Sequence, residues 1–166
     1  MNPVSIVATL VVGSDGSTSK ESRSAGVSSP QDRQVFLQRR REVDCIIVGG
    51  NTARHEPYNR TPVPLVVISR SLVNPVQGNH RALFWNCSPA QAVEKARKLF
   101  GESILIEGGV SMINELIDNK LIDRLELSVT PATGGEEKID YKALLARFAS
   151  CHNHEVEGTV FYTASN

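Results

Sequence analysis

Residues 43–54 have the sequence Val-Asp-Cys-Ile-Ile-Val-Gly-Gly-Asn-Thr-Ala-Arg, a short apolar run followed by two glycines. An apolar run without polar alternation is typical of a strand that is buried on both faces of a parallel sheet. Residues 103–111, Ser-Ile-Leu-Ile-Glu-Gly-Gly-Val-Ser, have the same order of strand, glycine pair and potential helix start. The two stretches together predict an α/β fold in which the turns after the strands can bind a ligand.

Strand and helix patterns alternate along most of the chain outward from these stretches. Helix starts are predicted at Ser29-Pro30 and Ser88-Pro89, where a serine can cap the helix and proline takes its first position. The remaining predicted elements are strands at residues 5–12, 64–68, 82–85, 124–130 and 159–163 and helices at residues 111–121 and 141–148. We expect a single domain over residues 1–166, with a mainly parallel central sheet flanked by helices and antiparallel C-terminal strands.

The composition excludes several classes of protein. Lys+Arg and Asp+Glu both number 18 in 166 residues, so the net charge gives no reason to expect nucleic acid or an anionic membrane as a partner. No apolar run approaches the ~20 residues of a membrane span, and residues 1–13 lack the features of a signal peptide, which predicts a cytoplasmic protein. Three cysteines without recognisable spacing exclude a disulfide framework, and Cys45 is expected in the core.

The residues after the predicted strands are the first candidates for a functional site. Gly49-Gly50 and Gly108-Gly109 would let the backbone approach an anion, although a glycine pair can also serve only to form a tight turn. Neither matches Gly-x-Gly-x-x-Gly, the usual dinucleotide motif. Residues 69–71, Ser-Arg-Ser, suit a phosphomonoester such as the 2'-phosphate of NADP, or are simply an exposed strand end.

Other polar residues have both a functional and a structural interpretation. Glu107, directly after a strand, could accept hydrogen bonds from a heterocycle or a sugar, or cap the next helix. Asp15 is primarily a turn residue and secondarily a ligand contact. At most one or two of the three arginines at residues 39–41 can serve one site, because successive helical side chains diverge. His152 and His154 lack a third ligand at a recognisable spacing, so no metal site is expected.

Six segments carry a resemblance to a known family: residues 14–16, 23–33, 43–54, 67–71, 105–109 and 121–127. They resemble the reductase domain of riboflavin biosynthesis, the C-terminal domain family of the bifunctional deaminase/reductase, which is similar in fold to dihydrofolate reductase. The resemblance implies reduction of the ribose of 5-amino-6-(5-phosphoribosylamino)uracil to ribitol with NADPH. The zinc signature of a fused deaminase is absent from the sequence, which indicates the stand-alone reductase form.

The resemblance also implies roles for individual residues. The cofactor's pyrophosphate and nicotinamide half would be held by Gly49, Gly50, Thr52, Gly108, Gly109, Val110 and Ser111, its 2'-phosphate by Ser69 and Arg70, and Val11 would border the nicotinamide. The phosphoribosyl group of the substrate would contact Ser24, Arg40 and Arg60, and its pyrimidine would contact Glu107. The catalytic candidates are Asp15, Glu56 and Glu107, and the proton could come from Asp15, Glu56 or a bound water.

Two departures from the family pattern keep other functions open. Many members have a lysine where this chain has Thr9, and the family's acidic residue after the second strand falls within residues 54–57. One alternative is an NADPH-dependent reductase of another heterocycle, such as a pterin. A second alternative is a nucleotide-binding module without catalysis. Apolar residues on the C-terminal strands, together with the resemblance, also predict a homodimer.

Overall fold

The computed structural model describes residues 6–166, so Ser5, the start of the first predicted strand, lies outside the described residues. Contacts divide the chain into two compact units. The first comprises Met1–Ala8 and Gln38–Asp123, and the second comprises Thr9–Leu37 and Arg124–Asn166. The expectation of a single domain over residues 1–166 stays a prediction.

Ten strands and five helices are assigned among the described residues. The strands are β1 (Ile6–Gly13), β2 (Ser17–Ser19), β3 (Cys45–Gly49), β4 (Leu65–Ile68), β5 (Ala82–Trp85), β6 (Ile104–Ile106), β7 (Arg124–Thr130), β8 (Glu136–Lys138), β9 (Ser150–Val156) and β10 (Thr159–Ser165). The helices are α1 (Pro30–Arg39), α2 (Gly50–His55), α3 (Pro89–Phe100), α4 (Val110–Asp118) and α5 (Tyr141–Leu145), with a 3-10 turn at Ser24–Gly26.

The first unit is built on a parallel sheet in the order β5, β4, β3, β6 and the start of β1. In the middle strand, Ile46 pairs in register with Leu65 on one side and Leu105 on the other. All three side chains are buried, because a central strand in such a sheet is covered on both faces. This explains why the apolar runs of β3, β4 and β6 have no polar alternation.

Helix α3 has the ends that its sequence predicts. The Ser88 side chain accepts a hydrogen bond from the Gln91 backbone amide (3.2 Å), and the Gln91 side chain accepts one from the Ser88 amide (3.0 Å). Proline takes the first helical position, and the helix ends before Gly101. Its buried face consists of Ala92, Val93 and Ala96, which keep the helical period that a packed amphipathic helix requires.

The second unit contains an antiparallel sheet in the order β7, β10, β9 and a separate two-stranded pair of β2 with β8. The predicted strand at residues 159–163 is β10, which is paired on both sides and is therefore not an edge strand, contrary to the expectation behind the homodimer. β9 is paired with β10, and every one of its residues is exposed. Most residues of β9 are polar, and the apolar pattern of the sequence predicts no strand there.

The predicted fold class is confirmed: an α/β protein with a mainly parallel sheet and antiparallel C-terminal strands. Cys45 is completely buried, and burial together with the nearby charge of Asp44 raises the pKa of its thiol to about 12. Among residues 6–166, no helix has the length and apolar character needed to cross a membrane.

Candidate functional site

Four turns follow parallel strands at the carboxyl edge of the sheet in the first unit. They are residues 49–50 after β3, 69–71 after β4, 86–88 after β5 and 107–109 after β6. Because β3 lies between β4 and β6, the two glycine pairs leave adjacent strands, and the Ser-Arg-Ser turn leaves the next strand. The parallel order therefore places at one edge the three turns that the sequence selects as anion-binding candidates.

The two glycine turns approach each other closely. A Cβ atom on Gly108 would lie 2.8 Å from the Gly49 amide nitrogen and 2.9 Å from Val48 Cγ2, closer than a side chain tolerates. Gly109, the N-cap of α4, has φ +54° and no atom within 4 Å of its potential Cβ position. Backbone amides beside such open space can meet a phosphate, so these turns fit the pyrophosphate of a nicotinamide dinucleotide.

A cavity of about 420 Å³ opens beside the Ser-Arg-Ser turn. Its lining residues are Ile68, Ser69, Arg70, Asn86, Cys87, Ser88, Pro89 and Glu115. The Arg70 guanidinium has no hydrogen bond or ion pair with any residue of the described chain. The wall holds one cation, one carboxylate from Glu115, two hydroxyls and an amide, and this polar lining suits a nucleotide better than an apolar ligand.

Glu107 lies in a buried cluster with Arg40 and Tyr58. Arg40 Nε donates to Glu107 Oε1 and Arg40 Nη2 to Glu107 Oε2, both at 2.7 Å, which makes a bidentate ion pair. The Tyr58 hydroxyl donates to Glu107 Oε2 at 2.8 Å, and the Arg40 guanidinium lies over the Tyr58 ring, 4.9 Å from its centroid. The Glu107 side chain is 0% exposed and that of Arg40 8%, so two predicted substrate contacts are joined to one another.

The protonation states of this cluster follow from burial and from the Glu107 charge. Burial lowers the pKa of Arg40, but the hydrogen bonds and the charge of Glu107 outweigh it and raise the pKa above its ordinary value. Burial, and then the Glu107 charge, raise the pKa of Tyr58 well above its ordinary value. The guanidinium therefore stays charged and the phenol stays protonated, as their hydrogen bonds require.

The other predicted residues of the first unit lie on or near the same turns. Gly50 and Thr52 are in α2, Val110 and Ser111 begin α4, and Glu56 follows α2 as its C-cap. Arg60 is exposed and makes no hydrogen bond or ion pair with any residue between 6 and 166. The loop that carries Tyr58 and Arg60 is held by the buried Asn79, whose side chain donates to the Tyr58 carbonyl and to Thr61 Oγ1, each at 3.0 Å.

Val11, Asp15 and Ser24 belong to the second unit. Val11 is half-buried in β1, and Ser24 begins the 3-10 turn. One oxygen of Asp15 accepts from the Ser17 hydroxyl (2.6 Å) and amide (3.1 Å), and the other accepts from the Gly134 amide (2.8 Å). The Ser17 hydroxyl first, and then the Gly134 amide, lower the pKa of Asp15 well below its usual range. Asp15 therefore stabilises its own turn through Ser17 and joins that turn to the backbone at Gly134.

Three residues near these turns have no role predicted from the sequence: Tyr58, Glu115 and Arg54. Tyr58 is the only buried aromatic residue in the polar loop at residues 56–64 that the structure describes, and a buried phenol usually has a hydrogen-bond partner. Glu115 follows Ser111 by one helical turn, so it lies on the same face of α4 as that residue. The sequence contains these signals, but a search for polar residues directly after predicted strands does not find them.

The chain belongs to the RibD C-terminal domain family, whose model matches residues 4–141. The resemblance stated from the sequence is thereby confirmed. No protein among those with curated descriptions matches the sequence.

Solved structures share the fold, and two of them show how far the likeness extends. One is a pyrimidine reductase-like protein from Corynebacterium diphtheriae, with a TM-score of 0.68 and 16% identity over 99% of this chain and 92% of that one. The other is a diaminohydroxyphosphoribosylaminopyrimidine deaminase/5-amino-6-(5-phosphoribosylamino)uracil reductase from Thermotoga maritima, with a TM-score of 0.68 and 12% identity over 98% of this chain. This chain covers 56% of the Thermotoga protein. At these identities the likeness concerns the fold.

Proposed function

We propose that the protein is an NADPH-dependent reductase of the riboflavin pathway that converts the ribose of 5-amino-6-(5-phosphoribosylamino)uracil to ribitol. Family membership and the reductase relatives support an oxidoreductase. The observation that carries the proposal is the carboxyl edge of the first unit. There, two glycine turns in close contact lie one strand away from a serine-arginine turn that opens on a cavity.

Each of these turns has a part in binding the cofactor under this proposal. The amides of residues 49–50 and 108–111 bind the pyrophosphate, because glycine leaves them accessible. Ser69 and Arg70 bind the 2'-phosphate from the cavity wall. When bound, the reduced nicotinamide supplies a hydride, and the protein orients the two reactants. Contact between Val11 and the nicotinamide stays a prediction.

The substrate phosphate is assigned first to Arg60. Its guanidinium is exposed and has no partner among the described residues, so a phosphate could bind it without breaking an existing contact. Arg40 donates to Glu107 from Nε and Nη2 and is only 6% exposed, so fewer of its N–H groups can reach a phosphate. Glu107, the proposed pyrimidine contact, is engaged by the same pair. Ser24 remains a proposed contact to the phosphoribosyl group.

The proton that completes the reduction is assigned to Glu56 or to a bound water. Asp15 is ionised at neutral pH and is held by three hydrogen bonds, so it is poorly suited to donate a proton. Glu56 is half-buried at the end of α2, in the same unit as the cofactor turns.

The Arg40–Glu107 pair also favours a second candidate, the reductase of another heterocycle such as a pterin. A substrate without a phosphate would leave the pair closed, and Thr9 in place of the family lysine is consistent with a changed substrate. A binding module without catalysis would bind the cofactor and show no turnover.

One assay separates these functions. The protein is mixed with NADPH and, in turn, with 5-amino-6-(5-phosphoribosylamino)uracil, its dephosphorylated analogue and a dihydropterin, and the absorbance of the reduced nicotinamide is followed. Oxidation with the phosphorylated substrate alone supports the proposal. Oxidation with the pterin alone supports the second candidate, and binding of NADPH without oxidation in any mixture supports the binding module.

We also propose a cytoplasmic homodimer that acts on a small phosphorylated molecule, without nucleic acid, membrane or metal. The exposed strand β9 is a sheet edge that a second copy could cover. In the described part of the chain, no three His, Cys, Asp or Glu side chains are grouped as metal ligands would be.

A further inference from the structure

The exposed side chain of Arg54 folds back along α2 toward Gly50. A helical side chain leans toward the residue four positions before it, and Gly50 has no side chain to keep Arg54 away. A Cβ atom on Gly50 would lie 3.2 Å from Arg54 Nη1 and 2.9 Å from Ser69 Oγ. The guanidinium of α2 and the hydroxyl that follows β4 therefore lie on the same side of Gly50, close to one another.

Both groups have hydrogen atoms that no described residue accepts. Ser69 Oγ accepts from the Ser71 amide (3.1 Å), which uses a lone pair and leaves its O–H to donate. Ser71 Oγ is engaged in the same way by the Val73 amide (3.2 Å). Within residues 6–166, Arg54 forms neither an ion pair nor a side-chain hydrogen bond. Convergent donors without an acceptor are the arrangement that binds an anion.

The kind of anion follows from the charges around the turn. Ser69 lies near Arg54 of α2 and lines a cavity with Arg70 of its own turn, and the one carboxylate of that cavity is Glu115 of α4. Two guanidinium groups and the Ser69 hydroxyl match the doubly charged phosphomonoester better than a singly charged pyrophosphate oxygen or a carboxylate. The phosphomonoester of the proposed cofactor is its 2'-phosphate.

We infer that Arg54 determines the preference for NADPH over NADH by binding the 2'-phosphate together with Ser69. This inference rests on the proposed function for its ligand, and it adds a cation to the contacts that the Ser-Arg-Ser turn makes. Arg70 binds from the cavity wall, and Arg54 binds from the side of α2.

Calorimetric titration of NADPH and NADH into the wild type, Arg54→Ala and Arg41→Ala tests the inference without catalysis. Loss of one charge-assisted contact should raise the Kd of Arg54→Ala for NADPH by about 10-fold or more and leave that for NADH within about 2-fold. Arg41→Ala removes the same charge from an exposed residue before β3, at the opposite edge of the sheet, and should change neither Kd. Arg54→Lys keeps the charge without the planar fork and should lose part of the preference.

Adenosine 2'-monophosphate and 5'-monophosphate separate this inference from the proposed reductase function. The wild type should bind the 2'-isomer more tightly, and Arg54→Ala should lose that difference, even if no substrate is ever reduced. An equal loss of NADPH and NADH in Arg54→Ala would place Arg54 on the pyrophosphate and overturn the inference. Unchanged NADPH binding in Arg54→Ala would also overturn it while leaving the reductase proposal intact. A wild type that binds none of the four nucleotides would overturn both.

Discussion

Replacing Glu107 by glutamine tests whether the cluster with Arg40 and Tyr58 stabilises the first unit. The glutamine amide can accept at one atom only, and its NH₂ group would face a donor that the carboxylate now satisfies. Arg40 would remain charged at 6% exposure and would lose the carboxylate that faces it. Removing one partner of a buried pair costs about 3–5 kcal/mol, and each kcal/mol lowers Tm by roughly 2–4 °C in a chain of this size. We therefore expect Glu107→Gln to lower Tm by about 6–20 °C.

The exposed pair of Arg97 and Glu102 in the same unit provides the matched control. Its side chains are 40% and 66% exposed, so Glu102→Gln should cost less than about 1 kcal/mol and lower Tm by less than about 4 °C. Tyr58→Phe removes one hydrogen bond to a charged acceptor and should lie between the two, at about 1.5–3 kcal/mol. Thermal unfolding followed by circular dichroism measures all three. A Glu107→Gln protein as stable as Glu102→Gln would refute the assignment of a buried, fully paired carboxylate.

Four further predictions concern the turns and the assembly. Gly50→Ala should displace Ser69 and Arg54 and raise the Kd for NADPH by about 10-fold, whereas Gly78→Ala, with its nearest contact at 3.9 Å, should have no effect in the same titration. Gly109→Val should abolish NADPH binding, and the backbone at φ +54° and ψ 126°, which a β-branched residue rarely adopts, should cost about 1–3 kcal/mol of stability in urea unfolding. Normal NADPH binding would refute the phosphate turn. Because the pKa of Asp15 is lowered in the folded protein, below about pH 4 the unfolded chain binds a proton that the folded chain does not, and the free energy of unfolding falls as the pH falls. Asp15→Asn should make the free energy of unfolding less dependent on pH below about pH 4. The same pH dependence in Asp15→Asn and the wild type would contradict this prediction. Light scattering should give the mass of a dimer at micromolar concentration, and a monomer mass would rule the homodimer out.

The elements that depend on local chemistry were predictable from the sequence. β5 and β7 have the predicted bounds, and α3 lies between the predicted Ser88 cap and Gly101. The spacing of apolar residues, a capping residue and a terminating glycine each act over a few neighbouring positions, so these signals can be recognised in the sequence alone. The shared edge of the two glycine turns was predictable for a different reason, because parallel strands in one sheet present their carboxyl ends together.

The features that depend on distant partners were not predictable in this way. β9 is polar and entirely exposed, and its conformation is set by pairing with β10 rather than by an apolar pattern. Arg40 pairs with Glu107, 67 positions away, and nothing near Arg40 in the sequence indicates this ion pair; its proposed contact with the substrate phosphate stays a prediction. Arg54 lies near a second anion-binding group only because β4 brings Ser69 next to Gly50.

The position of the cofactor can be tested through Trp85, the only tryptophan in the chain. It ends β5 immediately before the cavity residues 86–89, and the Lys95 ammonium lies 4.2 Å from its ring centroid. The emission of tryptophan overlaps the absorption of reduced nicotinamide, so a dinucleotide bound at this edge should quench it. We expect NADPH to quench Trp85 emission saturably, with the Kd found by calorimetry and at lower concentrations than NADH. Calorimetric binding of NADPH that leaves Trp85 emission unchanged would contradict a cofactor site at the carboxyl edge of the first unit.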